Sequence, residues 1–554
     1  MTIRSALEEF ANRHPDHVAQ VFSRDHGWVR RTYGEFLADV KATAEAYGSK
    51  FGLKPREENV AQILANSPEW MDVYLACSGA GVSVVPLDPK LHSEEVQYIL
   101  RDSGAVVVTT DRQHIPMMQQ IAADLPKLRA IVIVDGGAPS YAAIGSVPVY
   151  DLSELKKGSC KCGWYDKHVC EGDDVASIIY TSGTTGKPKG AMLTHANFMA
   201  DAEGALAAFG ERIDDTDSFY VVLPFFHAFS FLVNLILPIT LGSPAILMRS
   251  LRTISEDLKE LQPTVLIAVP LLVEKVYDKI SEKLAASKVA KILRMTGLKS
   301  VVNANVKKSL DPRLRFVVVG GAPCPVHVLK GFKDLGIKML EGYGLTECSP
   351  VVSVAGPKVA KIGTIGHKLP NIEIRIADAN EAGVGELQVK GPIVMRGYFN
   401  NEAATKDAFD GEWLRTGDLA SVDEQGLITI RGRKKALIVN REGKNIYPEE
   451  VENVISGDPL IADCVVVGYR IGGDPGEHVG VVVHPNEDAL TARNGGTPMP
   501  WSEMERVARI GIRTRCQKLA DYKRPRKILV LHEPLERTSI QKVRRVAYKG
   551  MLDE

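Results

Sequence analysis

Short uncharged strand patterns alternate with helical patterns along roughly the first 430 residues of this 554-residue chain. Strand patterns occur at 80–87, 105–109, 130–134, 175–180, 265–269 and 316–319. Residues 33–52 show apolar spacing near 3.6, and Ser93 before Glu94 and Glu95 predicts a capped helix start. Because strands separated by helices form mostly parallel sheets, the alternation predicts an α/β fold of layered sheets.

The pattern changes after about Leu369, which predicts two smaller units. Two closely spaced strand patterns at 372–378 and 385–391 indicate a β-rich lobe at about 360–432. Helical and strand patterns beyond residue 436, with a helix from about Trp501, predict a smaller mobile α+β domain. The predicted organisation is therefore an N-terminal domain 1–432, a short polar hinge 433–435 and a C-terminal domain 436–554.

Composition argues against a nucleic-acid partner, because 68 basic and 68 acidic residues cancel and 45% of the chain is apolar. The N-terminus has no apolar core typical of a secretory signal. Cysteines such as Cys77 and Cys464 lie in apolar runs, which predicts free thiols and a cytoplasmic location. Cys160, Cys162, His168 and Cys170 cluster without a standard zinc spacing; a surface loop is favoured, and metal binding stays open.

One segment, 221–248, has no Asp, Glu, Lys or Arg, and it is long enough to span a bilayer. Three prolines, His227 and Asn234 interrupt it. We therefore predict a buried strand–helix–strand region that lines a pocket. Weak peripheral contact with the inner face of a membrane stays open.

A loop dense in glycine, hydroxyl and lysine side chains, TSGTTGKPKG at 181–190, follows the predicted strand 175–180. Glycines let backbone N–H groups converge, and a nest of this kind suits a polyphosphate. It is not a Walker A loop, because two residues rather than four separate Gly183 from Gly186–Lys187. Four further turn-rich motifs follow in order: GGAP at 320–323, EGYGLTE at 341–347, WLRTGDL at 413–419 and TSIQK at 538–542.

Together these motifs resemble the adenylate-forming superfamily of acyl- and aryl-CoA synthetases, peptide-synthetase adenylation domains and firefly-type luciferases. The resemblance runs from about Tyr33 to Lys542, and in style it is closest to bacterial long-chain fatty acyl-CoA synthetases. It implies ATP, Mg²⁺ and coenzyme A as reactants. It also implies two half-reactions: an acid first forms an acyl-adenylate and pyrophosphate, and a thiol then takes the acyl group.

The resemblance assigns nucleotide roles residue by residue. The implied phosphate loop is Thr181, Ser182, Gly183, Thr184, Thr185, Gly186 and Lys187, with Lys189 neutralising the β- and γ-phosphates. The implied adenine wall is Gly321, Ala322, Glu341, Gly342, Tyr343 and Gly344, with Tyr343 stacked on the base and Thr346 at the α-phosphate. Asp418, assisted by Arg433, would accept the ribose hydroxyls, and Thr181 and Glu347 would bind Mg²⁺.

Other implied residues concern catalysis and the acid. Lys542 corresponds to the catalytic lysine of the first half-reaction, although Glu536, Ile540 and Gln541 depart from the family pattern around it. His227 and Gly321 would lie beside the acid, and Phe231 would be an aromatic gate. Lys435 would be the hinge about which the C-terminal domain rotates, so that Gly443 leaves room for pantetheine.

The predicted function is activation of a medium- or long-chain fatty acid and its transfer to coenzyme A. The apolar segment 221–248 and the EGYGLTECSPVVSV run favour a fatty acid over an aryl or amino acid. Three alternatives stay open: transfer to an acyl carrier protein, ligation of an aryl or other acid, and an inactive homologue that only binds nucleotide and fatty acid. The acyl chain length and the oligomeric state are not predicted.

Overall fold

The computed structural model describes residues 1–25, 27–136, 143–159, 162–181, 187–287, 302–303, 306, 313–357, 361–472, 476–537 and 543–553. Ser182 to Gly186, Lys542 and Cys160, all named as candidates above, lie outside these residues.

The strands, numbered along the chain, are β1 Val18–Arg24, β2 Gly27–Thr32, β3 Asn59–Ile63, β4 Ser83–Leu87, β5 Val107–Thr110, β6 Ala130–Ile133, β7 Ala143–Ile144, β8 Val147–Asp151, β9 Val175–Thr181, β10 Lys189–Thr194, β11 Phe219–Val221, β12 Ala245–Leu247, β13 Val265–Ala268 and β14 Phe316–Val319. They continue with β15 Met339–Gly344, β16 Val351–Val354, β17 His367–Lys368, β18 Glu373–Ala377, β19 Gly385–Lys390, β20 Gly397–Tyr398, β21 Phe409–Asp410, β22 Trp413–Val422, β23 Ile428–Arg433, β24 Ile438–Val439, β25 Asn445–Ile446, β26 Ile461–Tyr469, β27 His478–Pro485 and β28 Lys527–Val530.

The α-helices of the described residues are Ile3–Arg13, Tyr33–Phe51, Pro68–Gly79, Ser93–Ser103, Ile115–Ile121, Leu152–Gly158, Trp164–Lys167, His195–Phe209, Ala228–Phe231, Leu237–Leu241, Ile254–Leu261, Pro270–Ala286, Val326–Asp334, Glu402–Ala408, Pro448–Ile455, Glu487–Arg493 and Trp501–Cys516. A π-helix, Leu232–Ile236, joins two of them. Short 3₁₀ turns occur at Thr346–Cys348, which overlaps the EGYGLTE motif, and at Lys434–Ala436, which overlaps the predicted hinge.

Two large sheets form the N-terminal domain in the part of the chain that the structure describes. Nine strands follow the order β17-β16-β15-β14-β13-β11-β12-β1-β2, and nine others the order β20-β10-β9-β4-β3-β5-β6-β8-β7. The central pairs, such as β13 with β14 and β3 with β4, are parallel. The predicted α/β fold of layered, largely parallel sheets is therefore confirmed.

The later strands form the smaller units that the change of pattern predicted. Strands β18, β19, β22, β21 and β23 form an antiparallel sheet, and β26, β27 and β28 form the sheet of the C-terminal part. Helices Pro448–Ile455 and Trp501–Cys516 pack against the latter around a buried cluster that includes Ile455, Val481 and Ile512. The bounds of the domains and of the hinge remain predictions.

Local sequence chemistry explains where the helices around the site begin and end. Thr32 and Glu35 form a capping box at helix Tyr33–Phe51, and Gly52 ends that helix at φ 54°. The helix predicted from Ser93 begins there, but its N-cap is His92. The backbone N–H of His92 donates a hydrogen bond to the Glu95 carboxylate. Ser93 was expected to be the cap, and the glutamate three residues after His92 moves the cap back by one position.

The apolar segment 221–248 folds back on itself inside the domain. It comprises the end of β11, helix Ala228–Phe231, the π-helix, helix Leu237–Leu241 and β12. The predicted strand–helix–strand arrangement is present, and Leu232, Leu235 and Ile236 are fully buried. Within the described residues, no helix combines the length and apolar character needed to cross a membrane.

Candidate nucleotide and acyl site

The candidate site lies where neighbouring parallel strands end. Val319 of β14 pairs with Glu341 of β15, so the GGAP turn and the EGYG residues emerge at the same edge of the sheet. The carboxyl ends of parallel strands are the usual place for a ligand crevice in α/β sheets. Gly321 has φ 84°, a left-handed conformation that a side chain would strain. Ala322 beside it is partly accessible.

The EGYG residues are strand rather than loop, because β15 extends to Gly344. A Cβ at Gly344 would lie 1.7 Å from the carbonyl oxygen of Pro350, so the close return of the chain requires glycine there. Burial raises the pKa of the Glu341 carboxyl to about 7, although N–H groups of Gly363 and Cys324 lower it. Thr346 and Glu347 follow in a partly accessible 3₁₀ turn.

Tyr343, Asp418 and Arg433 are brought together. The Tyr343 hydroxyl donates to Asp418 Oδ2 at 2.5 Å, and Arg433 Nε lies 2.8 Å from Asp418 Oδ1. Asp418 is 3% exposed, and it faces Arg433 across strands β22 and β23. Burial, followed by the Asp418 charge, raises the pKa of Tyr343 well above its usual value, so the phenol stays a donor. A buried acceptor-only carboxylate held by two donors suits recognition of hydroxyl groups.

The two ends of the predicted phosphate loop are adjacent in the β9–β10 hairpin. Thr181 pairs with Lys189, and the Thr181 hydroxyl lies 3.4 Å from the Lys189 carbonyl oxygen. Lys187 Nζ lies 5.2 Å from the ring centre of Tyr98, at the helix Ser93–Ser103. The hairpin therefore presents two ammonium groups beside the loop.

Tyr398 connects two of the predicted residues and was missed from the sequence. Its hydroxyl donates to Glu347 Oε1 at 2.8 Å, and Lys189 Nζ lies 5.2 Å from its ring centre. The sequence offered a weak signal, an aromatic residue after Gly397 in RGYFN. The sequence positions of Lys189, Glu347 and Tyr398 do not show that they are neighbours. Tyr398 comes close to Lys189 because strand β20 pairs with strand β10 in the folded chain.

An entirely apolar cavity of about 60 Å³ adjoins this site. Its lining residues come from the helix His195–Phe209, the folded-back segment and the first sheet: Ala205, Leu206, Phe209, Ile213, Phe219, Phe229, Val233, Leu237, Val265, Ile267, Val318, Gly342, Val351 and Val354. Gly342 belongs to both the cavity and the predicted adenine wall. The cavity and the predicted nucleotide motif therefore adjoin at Gly342.

Phe231 does not line this cavity. Its ring is 1% exposed and packs against Trp70, Tyr74 and Phe198, with centroids 4.6 to 6.1 Å apart. Phe229 lines the cavity instead, and a Cβ at Gly320 would lie 2.8 Å from its ring. Two helical residues two positions apart point about 200° apart, so only one of them can face the cavity. Phe231 is therefore packed in the core, and its role as an aromatic gate stays a prediction.

His227 lies just before this helix, partly buried beside the Phe226 ring at 4.6 Å. Burial lowers the pKa of His227 to about 4, although the Asp88 charge raises it. The imidazole is therefore neutral at physiological pH.

We expect this burial of His227 to weaken the fold in acid. Above pH 6.5 the imidazole is neutral in both states, whereas between 6.5 and about 4 only the unfolded chain binds its proton, so stability falls as pH falls. The loss in the free energy of unfolding from this one group is at most about 3 kcal/mol. A His227→Gln variant should lack this contribution to the pH dependence of stability. Urea unfolding from pH 7.5 to 4.5 measures it, and parallel curves for variant and wild type would contradict it.

The remaining predicted residues are Lys435, Gly443 and the cysteine cluster. Lys435 is exposed within the short turn after β23, and Gly443 is exposed at φ 74° with open space around it. In the cysteine cluster, Cys162 Sγ donates to Glu45 at 3.2 Å and His168 Nδ1 is 2.9 Å from the Trp164 carbonyl. Among residues with described placement, no group of three or more metal-ligating side chains is found.

Comparison with known proteins identifies the class. Residues 7–399 match the AMP-binding enzyme family. The long-chain-fatty-acid–CoA ligase FadD15 of Mycobacterium bovis is 30% identical over 488 residues, covering 82% of this chain and 78% of that protein. Long-chain-fatty-acid–CoA ligase 6 of Rattus norvegicus is 30% identical over 447 residues, covering 74% of this chain and 64% of its own length.

Solved structures agree with this. O-succinylbenzoate coenzyme A synthetase of Bacillus subtilis, in complex with ATP and magnesium ion, has a TM-score of 0.74 at 25% identity over 98% of each chain. The anthranilate CoA ligase AuaEII, with anthranoyl-AMP, has a TM-score of 0.80 at 20% identity over 99% of this chain and 96% of that one, which shows the shared fold. The chain belongs to the AMP-binding enzyme family, the adenylate-forming acyl- and aryl-CoA ligases, which use ATP.

Proposed function

We propose that this enzyme activates a medium- or long-chain fatty acid as its acyl-adenylate and then transfers the acyl group to coenzyme A. The observation that carries the choice of an apolar acid is the entirely apolar cavity of about 60 Å³ that shares Gly342 with the nucleotide motif. This cavity has room for part of a fatty chain, and the proposed chain length rests on similarity to long-chain ligases. A charged or hydrogen-bonding substituent would lose its water there without gaining a partner. Similarity to long-chain fatty-acid CoA ligases supports the same substrate class.

The first half-reaction joins two anions, so charge must be neutralised before they meet. The acid carboxylate attacks the α-phosphorus of ATP, the bond to the β-phosphate oxygen breaks, and pyrophosphate leaves with its electron pair. Lys189 and Lys542 supply positive charge, Asp418 and Arg433 orient the ribose, and Thr346 contacts the α-phosphate. Catalysis by such groups is mostly positioning and electrostatic stabilisation.

Glu347 and Thr181 are suited to hold Mg²⁺. Carboxylate and hydroxyl oxygens are the ligands that this cation prefers. The Tyr398 hydroxyl occupies Glu347 Oε1, and Oε2 accepts no hydrogen bond from the described residues. A bound Mg²⁺ would neutralise phosphate charge.

In the second half-reaction the thiolate of coenzyme A attacks the acyl carbonyl and AMP leaves. We propose that rotation about Lys435 removes Lys542 and brings Gly443 to the nucleotide, where the absence of a side chain leaves room for pantetheine. The exposed position and open surroundings of Gly443 support this.

The proposal is tested by following pyrophosphate release with ATP, Mg²⁺ and acids from acetate to oleate, together with benzoate. Supplying coenzyme A or an acyl carrier protein then distinguishes the two acceptors. We expect release with octanoate or longer acids and thioester formation with coenzyme A. A preference for benzoate would favour an aryl-acid ligase, thioester only with carrier protein would favour that acceptor, and binding without release would indicate an inactive homologue.

Val233 offers a test of the cavity, because its side chain lines the space and is 5% exposed. Val233→Phe should reduce kcat/KM for the preferred acid about 10- to 100-fold and move the optimum to shorter acids, since the ring occupies the space. Val233→Ala should move the optimum to longer acids. The measurement is pyrophosphate release across the acid series, with thermal unfolding as the check on folding; an unchanged chain-length profile in both variants would refute the assignment.

A further inference from the structure

We propose that Tyr398 is a positioning residue that holds Lys189 and Glu347 in the arrangement required for Mg·ATP, an inference that rests on the proposed function. The Tyr398 side chain contacts both residues: its hydroxyl donates to Glu347 Oε1 at 2.8 Å, and its ring lies 5.2 Å from Lys189 Nζ. A cation near an aromatic face and a phenol on a carboxylate are both attractive contacts. One side chain thus connects the cation and the anion of the phosphate region.

Strand pairing explains why these groups meet. Tyr398 pairs with Ala191, and Lys189 is two residues from Ala191 on the same strand, so Tyr398 and Lys189 are diagonal neighbours on one face. The 3₁₀ turn that contains Glu347 lies beside the residues just before β20, because the Met395 N–H donates to the Glu347 carbonyl at 2.9 Å. The three residues therefore come from three chain segments that the backbone already holds together.

Tyr398 itself has little freedom. Its N–H donates to Thr405 Oγ1 at 2.9 Å, and the Thr405 hydroxyl donates to the Asn401 carbonyl at 2.9 Å. Gly397 has φ 143°, and a Cβ placed on it would lie 2.9 Å from the Thr405 methyl. The backbone therefore passes close to Thr405. The helix Glu402–Ala408 thereby fixes the strand from which the tyrosine extends.

The Tyr398 hydroxyl donates to one oxygen of Glu347 and leaves the other oxygen for a cation. Without the hydroxyl, the carboxylate is free to turn toward Lys189 and form an ion pair that competes with phosphate.

The test compares Tyr398→Phe with a matched control, Tyr220→Phe. Tyr220 is a buried tyrosine whose hydroxyl likewise donates to a carboxylate, Asp257 Oδ2 at 2.9 Å. Mg·ATP binding is measured by calorimetry without acid, and KM for Mg·ATP and for the fatty acid are measured by pyrophosphate exchange. Tyr398→Phe should weaken Mg·ATP binding and raise its KM about tenfold, with KM for the acid unchanged, whereas Tyr220→Phe should leave all three unchanged.

A double-mutant cycle with Glu347→Gln separates positioning from a general structural role. If Tyr398 acts through Glu347, the Tyr398→Phe change should cost less than twofold in the Glu347→Gln background. An unchanged Mg·ATP affinity in Tyr398→Phe, or a full tenfold loss that persists in that background, would overturn the inference. Absence of fatty-acid-dependent exchange in the wild type would instead contradict the proposed function, while the calorimetric arm would still test Tyr398.

Discussion

Replacing Lys542 by alanine is expected to slow acyl-adenylate formation by a factor of about 100 to 1,000. The lysine would reduce the repulsion between the carboxylate and the triphosphate. Removing one charged donor from such a site typically has an effect of this size. Thioester formation from a supplied acyl-adenylate should change less than about threefold, because no triphosphate remains to be neutralised. Single-turnover measurements of the two half-reactions provide the comparison.

Lys542 belongs to the predicted C-terminal domain 436–554, which also contains Lys549. Exposed Lys549, in the same domain, provides the control: Lys549→Ala should affect neither step, and equal losses in both half-reactions of Lys542→Ala would refute the division of labour.

Replacing Asp418 by asparagine is expected to raise KM for ATP about 100-fold. Hydrogen bonds to a charged group contribute about 1.5 to 3 kcal/mol each, and the carboxylate would accept from two ribose hydroxyls. The amide can accept through only one atom, and Arg433 Nε loses the charge that it contacts at 2.8 Å. ATP titrations in the exchange assay give KM, and KM for the acid should change little.

The chain provides a closely matched control for Asp418. Asp257 is also a buried carboxylate that accepts from a tyrosine and an arginine, Tyr220 at 2.9 Å and Arg249 Nε at 2.6 Å. Asp257→Asn should therefore lower the free energy of unfolding about as much as Asp418→Asn does, and it should leave KM for ATP unchanged. If both variants raise KM for ATP equally, or if neither does, Asp418 has no specific role in ribose recognition.

The layered fold was predictable because local chemistry and global topology agree. Buried β-branched runs such as 316–319 became central strands, and Tyr33–Phe51 became a helix between a capping box and Gly52. The charge-free segment 221–248 was correctly expected to be a buried strand–helix–strand region, because proline and polar residues interrupt it. Such features are encoded in a few adjacent residues.

The contacts within the site were less predictable, because they join distant segments. Motif order identified Asp418, Tyr343 and Arg433, but not that the tyrosine donates to the aspartate across 75 residues. Tyr398 was missed because its relation to Lys189 depends on the pairing of β10 with β20. The position of Phe229 at the cavity was not predicted, because sequence does not give the rotational phase of a four-residue helix.

The most direct measurement is exchange of labelled pyrophosphate into ATP by the purified wild-type enzyme, with and without each acid and without coenzyme A. We expect exchange that requires Mg²⁺ and is fastest with a medium- or long-chain fatty acid, because formation of a bound acyl-adenylate is reversible. No exchange with any acid, under conditions where the enzyme is folded and binds Mg·ATP, would contradict it.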